Sequence, residues 1–218
     1  MQINDFVQSQ LASQYSNRNA AGAATRVPGA PAGLVKAGER IQAQVDKTTA
    51  QLSSFGKLKL AVSDTQVAAR ALSGLGASAS APAVKTAATN LVNAFNATLA
   101  STKSTEALPG DVATTNATRV RQDLGRAVAT DTTTSDALKK IGISRDSEGK
   151  LVVDANKLEA AQLADAQGVR STLAQLGQRV DSTATQELAT GGNVGLSLSQ
   201  LAQRASVLKR QQSALGAL

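Results

Sequence analysis

Between Leu34 and Leu75 the apolar residues fall at Ile41, Val45, Leu52, Phe55, Leu58, Val62, Ala69 and Leu72, with Thr48 and Thr65 filling the gaps. The steps alternate four and three, with one extra three from Phe55 to Leu58 beside Gly56. Such spacing keeps one face of an α-helix apolar, as in a coiled coil with a single local discontinuity. At 1.5 Å per residue the helix would be about 60 Å long. A rod of that length cannot bury its stripe in a ball and must lie along a partner.

The other end of the chain carries a matching stripe. Val194, Leu198, Leu201, Ala205, Leu208 and Leu215 repeat the four-three alternation, with Gln212 as a polar interruption. Thr190-Gly191-Gly192-Asn193 breaks the chain before it and sets it apart from a preceding helix over residues 166–189. Antiparallel or parallel pairing of the two ends is expected. Helices over about 82–102 and 113–129 would pack on that pair as a bundle. The candidate helix-packing or assembly stripe is therefore Ile41, Val45, Leu52, Phe55, Leu58, Val62, Leu198, Leu201, Leu208 and Leu215.

Composition agrees with thin, closely packed helices. Aromatic residues make up 2% of the chain, with three Phe and no Trp, so the core must be built from Leu, Val, Ile and Ala. His and Cys are both absent, which removes imidazole bases, thiol chemistry, disulfides and the usual zinc or haem ligands. Acidic residues are scattered rather than paired with a base, and the glycines form no phosphate-cradling loop. Neither an enzyme nor a cofactor is expected. Asp146-Ser147-Glu148 lacks the regular oxygen ligands of a calcium loop and reads as a solvated turn. The 23 Lys and Arg give a net charge of +7, yet they are spread along helices with almost no aromatic residues for base stacking. No specific nucleic acid is expected as a partner. Apolar runs fall short of the roughly 20 residues of a membrane span.

One segment departs from the helical pattern. Ala137 to Ala161 reads as a helix end, a short β-hairpin and a capped helix start. Ile141 and Ile143 alternate with small or polar neighbours, and Leu151 and Val153 do so beyond an Asp-Ser-Glu-Gly turn. Gly149 supplies the positive φ that such a turn needs, and Asp154 is placed to cap the next helix. The fold class is thus mainly α, an elongated antiparallel helical bundle or coiled coil with one short β-hairpin over about 141–154. A flexible N-terminal segment over 1–33, rich in Ala, Asn, Gly and Pro from Ser16 to Gly33, precedes the helical bundle of 34–218. Further helices are expected over about 155–189 and 194–217.

That hairpin and its surroundings resemble the leg domain of the bacterial flagellar filament-cap family, flagellar hook-associated protein 2. The "xLxxIGI, polar turn, LxLDxxKLxxAL" run of that family corresponds to Ala137–Ala161. Residues 41–72 are similar to its "LxxFGxLKxAL" helix. Ala83–Ser101 is similar to "VxxFVxAYNxLxxxL", with Asn93, Phe95 and Asn96 in the expected places, and Leu108–Val128 to "LxGDxxLRxLQxxLRxAL". The ordered blocks cover most of residues 34–215. Two departures stand out: Gly74–Pro82 replaces the large β-rich plate domains, and the family's last helix usually runs longer. The resemblance implies a structural role in the flagellum, in motility and cell adhesion, and export without a cleaved signal peptide through the unstructured N-terminus. Flagellin or hook–filament junction proteins, self-association and an export chaperone are the partners it implies. A cytoplasmic helical binding module descended from such a leg, a chaperone or regulator, is the alternative.

Overall fold

Ala32–Ser73 forms one helix, α1, in a computed structural model that describes residues 32–129 and 131–217. Most of the N-terminal segment expected over residues 1–33 lies outside the described residues. The chain divides into two units, Met1–Arg40 and Ile41–Leu218. In the first, residues 32–40 are helical and mostly exposed. The second holds the core.

α1 is rich in Ala, Leu, Gln and Lys, which lose little side-chain freedom in a helix, and contains no proline. Its buried residues are Thr48, Gln51, Phe55, Leu58, Val62, Thr65, Ala69 and Leu72. That row alternates three and four without interruption. The discontinuity expected at Phe55–Leu58 does not occur, because Gln51 rather than Leu52 takes the inward step and Leu52 is half-buried.

A short turn over residues 74–80 leads directly into α2, Ala81–Glu106. Ser80 caps it by accepting the Ala83 N–H, and Pro82 sits in the first turn, where its missing N–H costs nothing. Val84, Ala88, Leu91, Val92, Phe95, Thr98 and Leu99 form its buried face. α2 runs antiparallel to α1: Thr65 meets Thr98 at 2.9 Å, and further along Ser54 meets Thr105 at 2.8 Å. α3, Asp111–Val128, packs on α2 and also meets the two helices that follow the hairpin, adding Ala117, Val120 and Leu124 to the core.

α4, Thr132–Lys140, is a short helix of which only the end is legible in the sequence. Asp131 starts it by accepting the Thr134 N–H at 2.6 Å. These hydrogen bonds hold the Asp131 carboxyl below its ordinary pKa, with smaller support from the Arg179 charge. The hairpin follows as β1, Ile143–Arg145, and β2, Leu151–Val153, antiparallel with Ile143 opposite Val153. Gly149 has φ +82°, as its turn demands, and Asp146 accepts the Glu148 and Lys150 N–H groups at 2.9 Å each. Ile143 and Leu151 are buried, whereas Val152 faces out. This hairpin is the only sheet among the described residues.

Asp154 accepts the Lys157 N–H and begins α5, Ala155–Leu188. The helix breaks at Asp165, whose backbone is non-helical and whose carboxylate caps the following turn at the Gly168 N–H, 2.8 Å away. Beyond the break, Leu173, Leu176, Val180 and Ala184 join the core. α5 runs antiparallel to α1 through Arg70–Asp181 at 2.9 Å and Gln66–Thr185 at 2.6 Å. Gly177 makes this contact close, because a Cβ there would sit 2.5 Å from the Ala69 carbonyl oxygen. After a turn at Ala189–Gly192, α6, Asn193–Gly216, continues back along α1 and donates from Gln212 to Gln42 at 2.7 Å. The two ends of the helical unit thus pair antiparallel. The return strand is two helices in succession.

Candidate functional site

The ten residues of the expected stripe lie on α1 and α6, and the structure divides them by cover. Phe55, Leu58 and Val62 have no exposed surface, and Leu208 is almost as deeply buried. Ile41, Val45, Leu52, Leu198, Leu201 and Leu215 are only half-covered. The fully buried members of α1 belong to the main core with Phe95, Leu124 and Leu173. Leu198 and Leu201 pack against the edge of that core, while Leu208 is buried outside it. Near the Gln42–Gln212 bond the helices therefore carry apolar side chains that their own neighbours cover incompletely.

Chemistry of another kind is sparse. Among the described residues no group of three or more His, Cys, Asp or Glu could hold a metal ion. Glu148, in the Asp146-Ser147-Glu148 turn, pairs with Lys150 at 2.7 Å and reaches Lys103 at 3.8 Å. These cations hold its carboxyl below the ordinary range, with the Lys150 hydrogen bond the largest cause. A shallow open groove between α3 and α5 is lined by Asp123, Arg126, Gln178, Arg179, Ser182 and Gln186. Its arginines are already engaged: Arg126 with Asp123, and Arg179 with the Ala127 carbonyl at 3.1 Å. No helix among the described residues is long and apolar enough to cross a membrane.

Three polar devices escape a reading of local sequence. Asn96 on α2 donates to the Leu151 carbonyl and accepts the Leu151 N–H, both at 2.9 Å, so one carboxamide holds the hairpin onto the bundle. Its place in an Asn-x-Phe-Asn run was the available signal. Gln51 donates to the Pro109 carbonyl at 2.8 Å, which fastens the α2–α3 connection to α1. At the α5–α6 junction, both Glu187 oxygens accept from Asn193 at 2.9 and 3.0 Å. Nothing in the spacing of Gln51 or Glu187 announces these partners.

The combination is a helical scaffold held by long apolar rows, with one hairpin pinned to its side. A family model described as flagellar hook-associated protein 2 C-terminus matches residues 76–217, which spans α2 to α6 and the hairpin. No curated protein and no solved structure matches the chain. The matched region includes every block of the resemblance except the first helix. With that coverage, the chain belongs to the flagellar hook-associated protein 2 C-terminus family, a family of structural proteins of the flagellar cap.

Proposed function

We propose that this chain acts as an exported axial component at the hook–filament junction or filament tip, and that it works by packing rather than by catalysis. Family membership supplies the setting. The observation that carries the reading is the uneven cover of the two stripes. Phe55, Leu58, Val62 and Leu208 serve the chain's own packing, whereas Ile41, Val45, Leu52, Leu198, Leu201 and Leu215 retain apolar surface for neighbours. Flagellin, junction proteins or further copies of the chain are the proposed neighbours. A helix that gains cover only on assembly is ordered at that moment, which lowers affinity per unit area and suits addition at high local concentration.

Two measurements test the proposal. Protein should be found outside flagellated cells when the flagellar export apparatus is intact and should stay inside when it is disrupted. Protein confined to the cytoplasm in both strains would overturn the reading and favour the helical binding module. Light scattering on the purified chain should show a monomer or a weak, concentration-dependent oligomer. A stable ring at about micromolar concentration would mean that the half-covered faces already suffice for assembly.

A further inference from the structure

Glu187 is a carboxylate in the wrong place for an ordinary one. It is 4% exposed, at the last turn of α5, directly before the Ala189–Gly192 break. Both its oxygens are taken by the Asn193 side chain, which opens α6. Asn193 is tied onward: its carbonyl accepts from Ser197 at 2.6 Å, and Ser197 accepts from the buried Asn116 of α3 at 2.7 Å. Asp123 of α3 lies near enough to add a second negative charge to the surroundings of Glu187. We propose that Glu187 and Asn193, with Asp123 beside them, form a proton-operated latch, which seats the start of α6 on α3 and α5 while Glu187 keeps its proton and loosens that junction when the proton leaves.

The surroundings supply little to relieve a second negative charge. α3 offers Arg126, which already pairs with Asp123, Arg121, which pairs with Glu106, and Arg119, which is exposed to water; Arg179, earlier on α5, donates to the Ala127 carbonyl. α5 has no other titratable side chain from Thr183 to Thr190, and α6 has none from Asn193 to Gln203. Arg70 of α1, packed on the same helix, is engaged with Asp181. Burial raises the Glu187 pKa from 4.5 to about 7; Asp123 adds to the rise, and the hydrogen bonds from Asn193 only partly oppose it. An unfolded chain would release this proton first. The folded junction is therefore fully supported below about pH 4.5, loses support as pH rises, and is least supported above about pH 7.

The test is amide exchange of the whole chain, corrected for intrinsic rates, at about pH 5.5 and about pH 8. Protection over residues 193–208 should fall by about tenfold or more at the higher pH, while that of 84–99 holds. Glu187→Gln keeps an acceptor for Asn193 and gives Asp123 a donor, so its α6 protection should not change with pH. Asp123→Asn should move the transition of the native Glu187 to lower pH. An equal loss of protection in the wild type and Glu187→Gln would overturn the latch, as would no loss in the wild type. Should Glu187→Gln fail to fold, an unmoved transition in Asp123→Asn would overturn it alone.

Discussion

α1 and α6 carry the same four-three alternation, yet they end in different states. From Thr48 to Leu72, α1 buries its row on α2 and α5, and Phe55, Leu58 and Val62 have no exposed surface. α6 fully buries only Val194, Ser197 and Leu208. The difference lies in the neighbours and not in the pattern. Periodicity selects the face a helix will turn inward, while the number of helices facing it decides how much of that face leaves water. α1 has partners on two flanks. α6 meets α3 at its start and α1 near its end.

The sharpest attack on this contrast is Phe55→Ala, which should lower stability by about 3–5 kcal/mol in denaturant unfolding, because the site is enclosed on every side. A loss below about 1 kcal/mol would mean that α1 is not enclosed at Phe55. Leu208→Asp should follow, at about 3 kcal/mol or more, since a charge would lose its water without gaining a partner. Leu201→Asp, at a half-covered position, should cost about 1 kcal/mol. Equal costs at Leu201 and Leu208 would erase the distinction between covered and uncovered parts of α6. The smallest effect belongs to α1 again. The Thr48 hydroxyl is buried with no hydrogen-bond partner among the described residues, so Thr48→Val should be neutral or stabilise by about 1 kcal/mol in thermal unfolding. A clear loss there would place an unseen partner at Thr48.

How far the sequence discloses the fold follows from the range over which its signals act. The stripes, the hairpin turn at Gly149 and the caps at Asp154 and Ser80 depend on residues a few positions apart, and these are legible. Gln51 was not, because its inward turn depends on Pro109, 58 positions away. Local spacing points to apolar Leu52, and only the tertiary acceptor at Pro109 turns Gln51 inward instead. α4 was hidden for a different reason. Its Thr132-Thr133-Thr134-Ser135 start has low helix propensity, and the helix depends on Asp131 and on packing by Leu138. At the candidate surface the inward face of both helices is legible, but the degree of cover is not, since it depends on which other helices reach that part of the pair.

The Asn96 clamp reaches beyond stability. Leu151 stands opposite Arg145 in the ladder, and its N–H and C=O are taken by the Asn96 carboxamide in place of a third strand. A bare strand edge is a template on which other chains can build cross-β aggregates, and Leu151-Val152-Val153 is the β-prone sequence to nucleate them. Here the edge is shielded at Leu151 by a side chain from α2, 55 residues earlier, and so only in the folded protein. The fold itself thus protects the chain at Leu151, and the hazard there belongs to the interval before α2 and the hairpin have met.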